Sequence, residues 1–368
     1  MFRSRLPLLG LALAVACSEP NGPAKLVDPA ATTAALSSLD STFTHPVVVS
    51  FGSLGTFIRP AGALSRAGQI ATATRPQRFP AGTPPEVAVA SHLAALRGLA
   101  TTPSAPQGPI IPDTLYGSIF TWDSASAQYV RSSTSGGPVN GVEFALYAVS
   151  PITGDIVYPL NPVGKAQFLD ESAGLSAKLH ILVKDNAGTT YLDYTATLTP
   201  GVGSVTVTVT GLVTNGVSGG ANKTLNFSVS ATLTLTTVTV HAAFTLNNPA
   251  VSVVLDATAT NAQGTETVSV AFTFTRPGET VRLQGSITTT NHVLDTLSAE
   301  IRVNGQVYAT VEGNANGVTF YDKDGNVITD AGAQHDVLEA LDHLRHAVAQ
   351  TLDFIEDLFD PIENLLSG

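Results

Sequence analysis

Three stretches of this chain carry residues whose types and spacing could do chemistry. Gly216-Val217-Ser218-Gly219-Gly220 matches G-x-S-x-G, the pattern of a serine nucleophile on a sharp strand-to-helix turn. Here the match falls in a Gly- and Asn-rich loop between two strand-like runs, where glycine serves a positive φ, so Ser218 is assigned no catalytic role. The residues that follow, Asn222-Lys223-Thr224, lack the second glycine and the succeeding helix of a phosphate loop. Asp322-Lys323-Asp324-Gly325-Asn326, with Asp330 beyond, is spaced like the start of a calcium loop. Such a loop needs glycine at its sixth position and a bidentate Glu at its twelfth. This one has glycine at the fourth and Ala333 at the twelfth, and Asp324-Gly325 is expected to be a hairpin turn. His335, Glu339, His343 and His346 stand at helical spacings that can bring two ligands to one metal. They project from the polar side of that helical pattern, so a solvated face is expected and no metal is assigned.

The other histidines, His45, His92, His180, His241 and His292, show no pattern. Trp122, Tyr129, Phe144, Tyr147 and Tyr158 concentrate aromatic rings in one part of the chain, where they are expected to be core or a sheet-edge plug rather than a ligand site. No catalytic or cofactor-binding residue is assigned. The chain is expected to be no enzyme and to use no cofactor.

The elements that position these residues are mainly strands. From about Asp113, apolar and polar residues alternate in short runs: Leu115–Trp122, Gln128–Arg131, Val142–Val149 and Asp155–Tyr158. Then come Leu175–Lys184 and Thr189–Leu198, flanking the loop Asp185-Asn186-Ala187-Gly188. Val205, Val207 and Val209 alternate with threonines. Leu225, Phe227, Val229, Ala231, Leu233 and Leu235 keep odd numbers, until the phase flips at Thr236-Thr237 and Val238, Val240, Ala242, Phe244 and Leu246 take over. A period of two changes phase only at a turn, bulge or corner. Further strands are expected near 250–260, 265–275, 279–290, 296–303 and 306–312, with Asn304-Gly305 as a type I′ turn. Strands of about ten residues joined by short turns make an antiparallel meander, since parallel pairs need crossovers. One face of it is Val, Leu and Phe, the other largely Thr and Ser, and the apolar face must be buried against something.

That partner is expected at the C-terminus. Val337, Leu341, Leu344, Val348, Leu352, Ile355, Phe359, Ile362 and Leu366 form one stripe at helical spacing within 331–368, with Pro361 a kink or break. Its other face is acidic: Asp336, Glu339, Asp342, Asp353, Glu356, Asp357, Asp360 and Glu363 are opposed by Arg345 alone. The expected fold class is therefore mainly β, an antiparallel meander (curved sheet, half-barrel or sandwich) at 113–330 packed on a C-terminal amphipathic helix. Residues 43–112 read as irregular except for a helix over about 84–97, opened by Thr83-Pro84-Pro85-Glu86 as a capping box. The arginines between Arg59 and Arg97 are expected near the acidic tail.

The N-terminus carries a different signal. Arg3 and Arg5 precede an apolar run from Leu6 to Ala16, the length of a signal-peptide core and too short to span a bilayer. The run ends Leu13-Ala14-Val15-Ala16-Cys17, and Cys17 is the chain's one cysteine. This resembles the lipobox of bacterial lipoproteins, with Ala14 in place of the more usual leucine. The resemblance implies that residues 1–16 are removed as a signal peptide and that Cys17 becomes the lipidated N-terminus. Residues 17–42, rich in Pro, Gly and Asn at their start, would tether the body and could include a short helix over 30–42. Two or three acyl chains anchor firmly where one is marginal. Ser18, in place of the aspartate that tends to retain lipoproteins at the inner membrane, implies the outer membrane.

The charge balance bears on partners. With 29 acidic and 18 basic residues the formal net charge is −11, which argues against a nucleic-acid partner. One cysteine excludes an intrachain disulfide framework. The expected partners are a membrane, reached through the lipid, and a protein or an apolar ligand held between sheet and C-terminal helix. An outer-membrane barrel and an unrecognised hydrolase are the competing readings.

Overall fold

The computed structural model describes residues 45–57, 109–150, 153–262, 264–290 and 293–332. Fifteen strands form one sheet. They are β1 (Ser118–Asp123), β2 (Gln128–Ser135), β3 (Gly141–Tyr147), β4 (Pro162–Asp170), β5 (Ala177–Asp185), β6 (Thr190–Gly201), β7 (Ser204–Thr214) and β8 (Thr224–Thr234). The series continues with β9 (Thr237–Asn247), β10 (Ala250–Ala262), β11 (Thr265–Arg276), β12 (Glu279–Thr290), β13 (Val293–Val303), β14 (Gln306–Asn314) and β15 (Gly317–Tyr321). From β3 to β15 each strand pairs antiparallel with the next, as the alternating sequence and short turns require. β2 and β15 are the ends of this order, so the sheet is open rather than a closed barrel.

The turns fall where the sequence places them. The phase flip is the tight turn between β8 and β9, across which Leu233 pairs with Val238; Leu235, expected in the inward series, sits in the turn and is exposed. Thr234 Oγ1 accepts from Thr237 N at 2.9 Å and closes that turn. Asn304 and Gly305 both have positive φ, +50° and +81°, as a type I′ turn demands. Tyr321 bridges Val327 around Asp324-Gly325.

Three corrections concern the first part of the sheet. The expected strand Leu115–Trp122 begins as a 3-10 turn at Asp113–Leu115 and becomes strand only at Ser118. β1 lies parallel to β3, so the meander is not wholly antiparallel. The crossover that a parallel pair needs is β2 itself, which hairpins with β1 at the edge before the chain returns. The return passes close over β1: Gly137 N donates to Gly117 O at 3.1 Å, and a Cβ on Gly137 would lie 2.7 Å from Ser118 O. β4 was not expected at all, because its inward residues are Gly164, Ala166, Phe168 and Asp170, an apolar series of mostly small side chains.

Those small residues seat a helix. α1 (Pro46–Phe57) falls in the stretch read as irregular, a further correction. Its three successive valines and two glycines are poor helix formers. What forms it is context: Pro46 occupies the first helical position, and His45 caps the end, its Nδ1 accepting Val47 N at 3.3 Å. Val47, Phe51 and Leu54 are almost fully buried against β3–β6. The methyl of Val47 stands where a side chain on Gly164 would be. Ser50 Oγ donates to Tyr147 O at 2.7 Å, tying the helix to β3.

The largest core cluster runs from α1 through the inner face to β14, with smaller ones around Leu233, Val238 and Ala259 and around Trp122, Tyr147 and Ile156. Val, Leu, Phe and Ala at alternate positions of β5–β11 are buried there, while the facing-away positions are mostly Thr and Ser. The expected helices over 30–42 and 84–97, and the C-terminal one apart from Ala331 and Gly332, lie outside the described residues. The helix seen to pack on the sheet is therefore α1.

Candidate functional site

Strict alternation makes the outer face of the sheet a lattice of short polar side chains. Register partners line up in rows across the strands. Thr206 of β7 pairs with Thr232 of β8, and Thr239 with Thr258 and Ser269 on β9–β11. Ser286 and Ser298 continue that row on β12 and β13. Several partners bond to one another: Thr195–Thr210 and Thr206–Thr232 hydroxyl oxygens are 3.2 Å apart, Thr265–Thr290 3.0 Å and Thr267–Thr288 3.3 Å. Such pairs add a few tenths of a kcal/mol each, up to ~1 kcal/mol, to sheet stability.

The adjacent row carries the charges. It reads Thr208, Ser230, His241, Asp256, Ala271, Gln284, Glu300, Thr310 and Tyr321 from β7 to β15. Between β10 and β13 these two rows border an open surface depression of about 520 Å³. Its walls are Asp256 and Glu300, and its floor is Ala271, Ser269, Ser286 and Gln284. The sheet is thin here on both sides: Gly285 points inward, and a Cβ there would lie 2.7 Å from Ser298 O and 3.1 Å from Ala299 Cβ.

Both wall carboxylates have a hydrogen-bonding partner on the same face. His241 Nδ1 lies 2.6 Å from Asp256 Oδ1. Arg302 Nε and Nη2 donate to the two oxygens of Glu300 at 2.5 and 3.0 Å, and this bidentate pairing raises the Arg302 pKa. Arg282 Nη2 donates to Gln284 Oε1 at 3.1 Å. Each wall carboxylate is thus already engaged by a neighbour on its own face.

A second polar constellation sits on the same face at β5–β6. His180 Nδ1 is 2.9 Å from Glu171 Oε1, and its Nε2 is 2.8 Å from Asp193 Oδ1. Lys178 Nζ lies 2.7 Å from Glu171 Oε2, and with His180 it holds the Glu171 carboxyl below its ordinary range against the opposing effect of burial. With a carboxylate on each ring nitrogen, His180 ties the β4–β5 connection to β6. Sequence spacing could not reveal this pair of contacts, because three separate elements supply them.

The aromatic residues singled out in the sequence do converge. Tyr129 sits 5.6 Å from both Trp122 and Phe144 and 6.5 Å from Tyr147, ring centre to ring centre. Phe144 packs on Phe168, and Phe168 on Phe51 of α1. Trp122 Nε1 donates to Tyr158 Oη at 2.8 Å, and Tyr129 Oη to Ala145 O at 2.8 Å. Burial pushes the Tyr129 phenol far up. Trp122, Phe144 and Tyr147 are buried core and Tyr129 is partly buried against them, closing the β2 end of the sheet, while the Tyr158 ring stays exposed.

The remaining motifs resolve as turns. Gly216–Gly220 is the β7–β8 loop; Gly216 and Gly219 have φ of +69° and +78°, and after the short 3-10 turn Gly219–Ala221 a strand follows, not a helix. Asp322 spends its carboxylate on Asp324 N at 2.9 Å and Asn326 N at 2.8 Å, bonds that depress its pKa. Among the described residues, no three His, Cys, Asp or Glu are grouped to hold a metal ion. Cys17, His92, His292, His335, Glu339, His343 and His346 lie outside the described residues. Compared with protein-family models, curated proteins and solved structures, the chain shows no match.

Proposed function

We propose that this chain is a lipid-anchored protein of the bacterial cell envelope, attached through Cys17 and favouring the outer membrane, whose β body binds rather than catalyses. The observation that carries the binding role is the outer face: rows of short hydroxylated side chains with a depression whose two carboxylates are each bonded to a neighbour, His241 and Arg302. The anchor rests on Cys17 standing directly after an eleven-residue apolar run headed by Arg3 and Arg5. Membrane fractionation tests it: the wild type is expected with the membranes, and Cys17→Ser in the soluble fraction.

A second reading is favoured by the extent of the inner face. α1 packs on β3–β6, yet the apolar side continues through β7 to β14 with Phe227, Phe244, Phe272 and Phe274. The amphipathic pattern over 331–368 is the proposed cover for that remainder, its acidic side outward. An apolar ligand carried between this helix and the sheet is the alternative function. Lipid extraction from the purified protein tests that alternative: a stoichiometric co-purified lipid supports it, and none would count against it.

A further inference from the structure

The cavity on β10–β13 supports a more specific reading, which deepens the binding role and does not depend on the anchor. We infer that it is a subsite for an uncharged, polyhydroxylated ligand, the chemistry of a neutral oligosaccharide. Three observations lead there. The shape is an open trough: Asp256 and Glu300 stand in one row three inter-strand spacings apart, about 14 Å, with only small side chains and Gln284 between them. Its volume of about 520 Å³ is that of a small-molecule site.

The second observation is charge. Asp256 is bonded to His241, Glu300 to Arg302, and Arg282 to the Gln284 oxygen, so each charged group at the trough already has a partner on its own face. A polyamine or a phosphate would have to displace an existing pair.

The third is the donor and acceptor set. Carboxylates bonded to one neighbour keep lone pairs for further donors, and Gln284, whose oxygen takes Arg282, keeps its amide N–H groups as donors. Serine and threonine hydroxyls serve as either. Neighbouring sugar hydroxyls, each both donor and acceptor, match such a mixed set better than any singly charged group does. Tyr321 continues the row of Glu300 two strands further on the same face and places a phenol ring beyond that wall.

The test uses full-length mature protein carrying Cys17→Ser and isothermal titration calorimetry with chitohexaose, maltohexaose, mannohexaose and, as a charged comparison, spermidine. Binding of at least one neutral hexaose is expected, weakened at least about tenfold by Ala271→Leu, which fills the floor, and by Gln284→Ala, which leaves the fold intact. Thr208→Ala, on the same face outside the trough, is expected to bind as before. Chitohexaose alone would point to wall glycan as the source, and maltohexaose or mannohexaose to other polysaccharides. Heat from none of the sugars, from spermidine alone, or equal binding by the trough variants would overturn the inference. Chromatography of the titrated sugar separates the two claims: intact sugar agrees with both, whereas cleaved sugar upholds the trough and overturns the non-catalytic reading.

Discussion

Tyr194 and Gly211 are register partners on β6 and β7, and the fully buried Tyr194 side chain lies against the face that the glycine leaves bare. On the far side Gly211 pairs with Phe227, whose ring centre is 6.1 Å from that of Tyr194. Two large rings thus share one cross-strand row because the residue between them has no side chain. A Cβ on Gly211 would collide with Tyr194 Cβ and Asp193 O.

This fixes the sign of a substitution that helix or strand propensity would get wrong. Alanine is normally preferred to glycine within a strand. Here Gly211→Ala is expected to lower stability by about 1–3 kcal/mol through overpacking, and Tyr194→Ala by about 3–5 kcal/mol through the cavity it leaves. Chemical denaturation of both variants measures the two effects.

Acid is expected to act on two places in separate windows. Burial, opposed by Asp185, lowers the His45 pKa below 6.5, so the unfolded chain takes up a proton before the folded one does. The stability contribution is complete above 6.5 and falls as pH drops toward the folded value. Protonated Nδ1 could no longer accept Val47 N, so the same step uncaps α1. Glu171, whose pKa is lowered by Lys178 and then by His180 against the effect of burial, contributes above 4.5 and is lost as pH falls further. Melting temperatures of wild type and His45→Asn between pH 7 and 5 are expected to diverge, with the wild type losing more. Equal slopes would remove His45 from the account.

The regular part of the sheet was legible because a period of two leaves few choices: β5 through β14 follow from alternating Val, Leu and Phe, and Asn304-Gly305 and Asp324-Gly325 from their turn chemistry. α1 and β4 were not legible for one shared reason. Each is made by the other, Gly164 and Val47 fitting together, so neither Pro46–Phe57 nor Pro162–Asp170 carries a strong pattern by itself. The cavity residues were hidden differently. Asp256, Gln284 and Glu300 are ordinary polar positions along the chain, and only the register of four strands brings them into one row.

The proposed cover over the inner face has its own test. Nine large apolar residues along 337–366 would each contribute about 1.5–3 kcal/mol if fully buried. Truncation after Asp330 is expected to expose the sheet, raise dye binding to apolar surface and cause aggregation, and Leu341→Asp or Ile355→Asp to destabilise by several kcal/mol, on the order of a large core lesion. A truncated body that stays monomeric with an unchanged melting temperature would make the C-terminal segment a separate interaction element.

The central claim, attachment to the envelope by lipid, is tested most directly by mass spectrometry of the mature N-terminal peptide from protein made in a bacterial host. The account predicts a peptide that begins at Cys17 and carries a diacylglyceryl group on sulfur, with its amine acylated. A peptide that begins elsewhere, or an unmodified Cys17, would contradict it.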